Sequence, residues 1–206
     1  MGPRSASVAT DRATRRQDLL DAADRSVARD GAGASMSAIA AEAGITKPIL
    51  YRHFGDKSGL YAALAERHTE RLMQVLLRSL GSGGGPRERI AATIDAYLRA
   101  IAAQPQIYRF LLHSAEAAHA AEVRGQVQGF VERLADLLAT GIGRELGLPS
   151  GSTRARVWAR GIVGMVQACG DSWISSGTPR RAQLVEELTD LLWGAYRDAA
   201  GQGRSG

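Results

Sequence analysis

The segment 46–57 combines basic, aromatic and small apolar side chains that suit contact with DNA. Leu50 and Phe54 lie four residues apart, so on a helix both point to one side and can be buried. The rest of that helix carries apolar groups that can meet thymine methyls and basic groups that can reach guanine. The residues predicted to face a DNA groove are Lys47, Pro48, Ile49, Tyr51 and Arg52.

A second group of side chains around this segment can donate hydrogen bonds to phosphate oxygens. Contacts of this kind position a protein on the duplex without reading its sequence. Lys57 also begins the next predicted helix, where backbone N–H groups favour an anion. The predicted phosphate contacts are Ser35, Thr46, Tyr51, His53 and Lys57.

Two short helices, over 37–43 and 47–54, are predicted to carry these side chains. Ser35 and Thr46 are suitable N-caps, and Pro48 falls in a first turn, where its missing N–H costs nothing. Gly44 stands at the turn between the helices, where glycine adopts a positive φ without steric cost. This layout is that of a helix-turn-helix, whose second helix enters the major groove.

At these residues the sequence resembles the TetR family of bacterial transcriptional regulators. The resemblance covers about residues 11–66, and by position it implies the same groove-facing and phosphate-contacting residues. Val27 departs from it, where a bulkier phenylalanine is usual, and so does Ala32, where an aromatic often follows the glycine. The matching positions are Leu19, Leu20, Ala22, Ala23, Gly31, Ile39, Ala40, 43–48, Leu50, Tyr51, His53, Phe54, Lys57 and Leu60.

The resemblance implies an all-α homodimer with an N-terminal DNA-binding domain and a larger C-terminal domain for ligand binding and dimerisation. It implies a repressor that leaves its operator when a small molecule binds, with transcriptional activation as the alternative. A closed two-fold dimer presents two recognition helices about one DNA turn apart, which implies a near-palindromic operator. The candidate pocket residues of the second half, named below, include few charged side chains, which favours a hydrophobic or amphipathic ligand.

No catalytic or metal-binding constellation accompanies this motif, so we expect no enzyme activity and no cofactor. The glycine-rich stretch 81–86 lacks the Gly-Lys-Ser/Thr of a phosphate loop. His113 and His119 are six residues apart, which does not place them on one helical face. The competing hypothesis from another class is a helical small-molecule-binding protein or enzyme whose N-terminal corner is only structural.

Charge and cysteine content suggest where the protein acts. The formal net charge is +5, which is compatible with a polyanionic partner, although only Lys47 and Lys57 among the 26 basic residues are lysines. Cys169 is the single cysteine, so an internal disulfide cannot form and a reducing cytoplasm is expected. No apolar run is long enough for a membrane span. We therefore expect a bacterial cytoplasmic protein, associated with the nucleoid when bound to DNA.

Helical periodicity throughout and the scarcity of strand signals predict an all-α fold of about nine helices. The first helix is predicted over 11–29, and the helices after the glycine-rich linker over 87–103, 105–117, 120–146, 151–176 and 181–199. The predicted divisions are a mobile tail over 1–10, a DNA-binding domain over 11–56, a connecting helix over 57–80, a ligand-binding and dimerisation domain over 86–200 and a disordered tail over 201–206.

The second half of the chain offers two weaker sets of candidates. Apolar and aromatic residues with a few polar groups are typical of ligand pockets; here they are Tyr97, Tyr108, Phe110, Leu111, His113, Phe130, Leu134, Met165 and Trp173. Apolar stripes on the last two helices favour a four-helix dimer interface; its candidates are Val157, Ile162, Val166, Leu184, Leu188, Leu191 and Leu192.

Overall fold

Helix is the only regular secondary structure in the computed structural model, which describes residues 3–113 and 120–202. The all-α prediction is confirmed, and nine α-helices lie within those ranges. They are α1 (Pro3–Asp30), α2 (Met36–Glu42), α3 (Lys47–Phe54), α4 (Lys57–Leu80), α5 (Pro86–Ala103), α6 (Pro105–His113), α7 (Ala120–Glu145), α8 (Thr153–Ser176) and α9 (Arg181–Gln202), with a 3-10 turn at Gly31–Gly33.

The helix ends differ from the sequence-based boundaries mainly at the two termini of the chain. Helix α1 begins at Pro3 rather than near Asp11, so the segment expected to form a tail is helical from Pro3 onward. Proline is favoured at the start of a helix, and no glycine interrupts the chain from there to Asp30. Helix α9 continues to Gln202, and the last part of the predicted tail, 203–206, lies outside the described residues.

The chain divides into two compact units, and neither is a single stretch of sequence. The first unit contains Met1–Thr69 and Gln104–Val127, and the second contains Glu70–Ala103 and Gln128–Gly206. Helices α4 and α7 therefore each supply residues to both units. No helix among the described residues has the length and apolarity that a membrane span requires.

The first unit is built around the apolar stripes of its helices. Two leucines of α1, Leu19 and Leu20, are almost fully buried, and Val27 is fully buried although it is smaller than the residue usual at its position. Tyr61 meets the ring of Phe110 edge to face, with the ring centroids 4.8 Å apart. The other residues of this core are Ala23, Ala34, Met36, Ile39, Ala40, Leu50, Phe54, Leu60, Ala63, Leu64, Ala65, Ile107 and Val123.

The second unit has its own core between α4, α5, α7, α8 and α9. Its largest cluster contains Met73, Leu76, Phe130, Leu134, Ala135 and Val163. Helix α5 packs along α9 and also against α8. At the contact with α8, a Cβ on Gly170 would stand 2.8 Å from the ring of Tyr97, so only glycine fits there without rearrangement.

The start of α4 depends on a close backbone approach that only glycine permits. Asp56 caps the helix by accepting a hydrogen bond from the Gly59 N–H at 2.8 Å. A Cβ built on Gly59 would lie 2.1 Å from the carbonyl oxygen of Phe54, which ends α3. Gly55, between the two helices, adopts a φ of +80°. The connection that orients α3 against α4 therefore requires glycine at both positions.

Replacing Gly59 with alanine should destabilise the first unit despite the better helix propensity of alanine. The new methyl group meets backbone, so we expect a loss of about 1–3 kcal/mol in the free energy of unfolding, as for other overpacked sites. Chemical denaturation followed by circular dichroism measures this loss.

Gly125→Ala is the matched control, because Gly125 lies within α7 in the same unit and a Cβ added there would meet nothing within 4 Å. That variant should gain up to about 1 kcal/mol from helix propensity. Equal stabilisation by the two substitutions would contradict the close approach at Gly59.

Candidate nucleic-acid interface

Helix α3 separates a buried face from an exposed one, as its sequence predicts. Leu50 is fully buried and Phe54 nearly so, and both belong to the core of the first unit. All five predicted groove-facing residues lie on the remainder of the helix. Ile49 is half-buried, whereas the other four, Lys47, Pro48, Tyr51 and Arg52, are exposed.

The exposed face of α3 carries positive charge beside an aromatic ring. The Nζ atom of Lys47 lies 5.8 Å from the centroid of the Tyr51 ring, one turn further along the helix. Tyr51 is 38% exposed, so part of its ring is accessible at the surface beside Lys47. A ring and an ammonium group side by side can contact a thymine methyl or a phosphate, and the neighbouring Arg52 can reach guanine.

The predicted phosphate contacts surround α3 on the same unit. Ser35 is the N-cap of α2, and its Oγ accepts from the Ala38 N–H at 3.0 Å, which leaves its hydroxyl hydrogen to be donated elsewhere. Thr46 is the exposed N-cap of α3, and its side chain makes no capping hydrogen bond. His53 is half-buried beside Phe54. Lys57 is half-buried at the start of α4, with its Nζ 5.1 Å from the centroid of the Tyr61 ring.

Tyr61 anchors α4 to the segment that leads into α2. Its buried hydroxyl donates a hydrogen bond of 2.7 Å to the carbonyl oxygen of Ala34. Burial raises the pKa of Tyr61 to about 12, so the phenol remains neutral and keeps this donor well beyond physiological pH. Because Ala34 directly precedes the N-cap Ser35, this bond helps to place the helix-turn-helix on α4.

Ion pairs connect α1 to α2 and α4 around the helix-turn-helix. Glu42, near the end of α2, accepts hydrogen bonds from Arg25 at 2.7 Å and from Arg29 at 3.2 Å. The hydrogen bond from Arg25, followed by that from Arg29, lowers the pKa of the Glu42 carboxyl. All three groups are at the surface, so the pairs orient α2 more than they stabilise it.

A more enclosed ion cluster joins α1 to α4 and was not anticipated from the sequence. Asp24 accepts from the Nε2 side of His68 at 2.6 Å and lies 3.4 Å from Nη1 of Arg67. Arg67 also pairs with Asp21. The three-residue spacing of the two aspartates places them on one face of α1, but nothing local identifies their partners, which are more than 40 positions away along the chain.

The predicted pocket residues are divided between the two units. Tyr108, Phe110 and Leu111 belong to the first unit, where Phe110 is part of the core. The second unit contains the remaining described members, which are Tyr97, Phe130, Leu134, Met165 and Trp173. The side chain of His113 lies outside what the structure describes. Phe130 and Leu134 are core residues. The spacing of apolar residues on a helix could not show this, because a pocket wall and a packed interior have the same pattern.

The second unit has an open groove of about 460 Å³ between α4 and α5 that contains none of the predicted pocket residues. Most of the side chains that line it are small, several of them are apolar, and two are arginines. Arg99 is already paired with Asp95 at 3.1 Å, whereas Arg78 has no ion pair within the described residues. The groove is lined by Val75, Arg78, Ser79, Ser82, Ala92, Ala96, Arg99 and Ala100.

The predicted dimer residues fall into buried and exposed groups. Leu184 and Leu188 are buried within the chain itself, whereas Ile162, Val166 and Leu192 are half-buried. Val157 and Leu191 are the two most exposed large apolar side chains among the described residues, at 61% and 59%. Three small residues of α8 share the exposed side with Val157: Gly161, Gly164 and Ala168.

Comparison with known families agrees with this architecture. The model described as "Bacterial regulatory proteins, tetR family" matches residues 19–64, which include α2 and α3. The model described as "Tetracyclin repressor-like, C-terminal domain" matches residues 75–205. The chain belongs to the TetR family. It is therefore a helix-turn-helix transcriptional regulator, and the family consists of regulators rather than enzymes.

Individual relatives extend over most of this TetR-family chain. An HTH-type transcriptional regulator of Mycobacterium tuberculosis is 32% identical, over 88% of this chain and 76% of its own length. The HTH-type transcriptional activator FasR of Mycolicibacterium smegmatis is 30% identical, over 87% of this chain and 81% of its own. The family thus includes an activator among the relatives of this chain.

Solved structures show the same fold. A TetR-like regulator from Rhodococcus sp. RHA1 is 29% identical and superposes with a TM-score of 0.65, covering 87% of this chain and 93% of its own. The regulator FadR from Bacillus subtilis, in complex with stearoyl-CoA, has a TM-score of 0.67 at 18% identity, covering 85% and 96%. At that identity the second likeness concerns the fold alone.

Tyr51→Ala should abolish specific DNA binding without unfolding the chain, because the side chain contributes to the exposed face and not to the core. Leu50→Ala, one position away, should instead cost about 2–5 kcal/mol of stability. Mobility-shift titration paired with thermal unfolding distinguishes the two effects. Loss of folding in the tyrosine variant, or unchanged DNA affinity, would contradict the assignment of the face.

Lys47→Ala should reduce the salt dependence of binding, because each phosphate contact releases about one counterion. The slope of log affinity against log salt should fall by about one. Arg156→Ala is a control that removes an exposed positive charge from α8, in the other unit. An equal change of slope in both variants would show that net charge alone is responsible.

Proposed function

We propose that this regulator is a homodimeric repressor that binds a near-palindromic operator through α3. It dissociates from the operator when a small amphipathic molecule binds. The observation that carries the DNA part is the division of α3 into a buried side and an exposed side. Leu50 and Phe54 hold the helix on the core, while Lys47, Tyr51 and Arg52 are exposed and belong to no core cluster. A face of this composition matches the edges of base pairs and the adjacent phosphates.

Dimerisation through α8 and α9 is supported by the large apolar side chains that each helix leaves exposed. Val157 on α8 and Leu191 on α9 are each more than half exposed. A second copy would remove both from water, and two helices from each chain would form a four-helix bundle. A two-fold axis then places two copies of α3 against two half-sites of opposite orientation.

The proposed effector carries an alkyl chain and an anionic head. Alanines and a valine in the α4–α5 groove offer apolar contact, and Arg78 offers a charged group for a carboxylate or phosphate. The complex of FadR with stearoyl-CoA, a structure of the same fold, supports an acyl-type ligand. Release from DNA requires that the ligand bind the DNA-free conformation more tightly than the DNA-bound one.

Repression is the proposed direction of control, and activation is the alternative. The activator FasR, at 30% identity, is the observation that favours the alternative. Either direction of control can use the same contacts between α3 and DNA. Transcription in vitro from the chain's own upstream region, with and without the protein, distinguishes them. The proposed site of action is the bacterial cytoplasm.

Footprinting of the purified protein on its own upstream intergenic DNA should protect two half-sites of opposite orientation. Their centres should lie roughly 34–36 Å apart, or a multiple of that distance, as expected for a two-fold dimer. If upstream DNA is not bound, selection from a genomic library locates the operator. Protection of one isolated half-site would contradict the dimeric arrangement.

Long-chain acyl-CoA should shift the equilibrium away from the operator complex, and Arg78→Gln should weaken this response. Losing a charge-assisted contact at a partly exposed site should reduce the apparent ligand affinity by roughly tenfold. Operator release is measured by fluorescence anisotropy during titration with palmitoyl-CoA. Arg156→Gln serves as the control, and an undiminished response of the Arg78 variant would exclude the groove as the head-group site.

A further inference from the structure

Helix α8 carries two charged side chains that lack a partner within the described part of the chain. Asp171 is half-buried, and its Oδ1 atom is covered by the chain itself without a hydrogen-bond partner there. Arg160 is exposed on the same helix and forms no ion pair among the described residues. Because Asp171 is only half-buried, a cationic group of a second chain can still approach the exposed part of its side chain.

The spacing of the two residues places them on the same side of α8. Arg160 and Asp171 are eleven positions apart, which is close to three helical turns, so they lie about 20° apart around the axis. They therefore occupy one flank of α8 and are separated by about 16 Å along it. The midpoint falls between Met165 and Val166, and the exposed residues Gly164 and Ala168 stand on either side of it.

A two-fold axis through that midpoint would bring the opposite charges together twice. When two copies of a helix pair in antiparallel orientation about such an axis, positions equidistant from the midpoint meet, and a flank faces the same flank of the partner. Arg160 of one copy then stands opposite Asp171 of the other, and the reciprocal pair forms as well. The exposed small residues Gly161, Gly164 and Ala168 let the helix backbones approach closely enough for both pairs to form.

We propose that Arg160 and Asp171 form reciprocal ion pairs between two copies of this chain and thereby determine the register of α8 against its partner. The inference rests on the homodimer proposed above. It names the two residues that would make this face of α8 bind a second copy of the chain. Charge complementarity of one surface with itself is what an isologous interface requires. Large apolar residues such as Val157 can contribute burial, whereas the paired charges determine the alignment.

Charge reversal tests the pairing. Arg160→Asp and Asp171→Arg should each weaken the dimer roughly tenfold or more, because each places like charges opposite each other at two sites. The double variant R160D/D171R restores opposite charges and should recover most of the affinity. A mixture of the two single variants should also form heterodimers, since both pairs are then satisfied. Sedimentation equilibrium measures the dissociation constants, and circular dichroism checks that each variant is folded.

Three comparisons keep the outcomes distinct. Arg124→Asp changes the net charge by the same amount as Arg160→Asp, but on the exposed surface of α7 in the first unit. It should leave dimerisation unchanged. Asp171→Asn should weaken the dimer; a higher melting temperature with unchanged dimerisation would instead show an unpaired carboxylate and overturn the proposal. A wild-type chain that remains monomeric would refute the homodimer itself, whereas a dimer indifferent to charge reversal, or not rescued by mixing, would refute only the pairing.

Discussion

Burial of one side of α3 is the constraint on which the proposed DNA-binding surface depends. Leu50 and Phe54 enter the core of the first unit, and this fixes the rotation of an eight-residue helix that is too short to be stable in isolation. With that rotation fixed, Lys47, Tyr51 and Arg52 must face outward. The composition of the exposed surface is therefore a consequence of packing on the opposite side of the same helix.

The other features of the first unit hold this short helix in place. Gly59 allows the start of α4 to approach the end of α3, and Tyr61 ties α4 to the segment before α2. The ion cluster of Arg67 and His68 with Asp24 then attaches α4 to α1. Helix α4 also supplies residues to the second unit, so one continuous helix belongs to both units.

The sequence predicted those parts of the fold that depend on local patterns. The bounds of α3, the turn at Gly44 and the N-cap at Ser35 follow from residue preferences within a few positions. Gly59 was missed because its role depends on a backbone approach. The partners of Arg67 were missed because they are distant in sequence. Leu184 shows the same limit: its stripe predicts a buried face, but periodicity does not say whether a neighbouring helix or a second copy covers it.

Photocrosslinking from α3 to operator DNA tests the central claim most directly. A benzophenone side chain at position 51 or 52 should crosslink to bases within each half-site, whereas one at position 124, on exposed α7, should not. The crosslinks should disappear when excess unlabelled operator competes. Absence of crosslinking from both α3 positions, in variants that still bind the operator, would contradict the account.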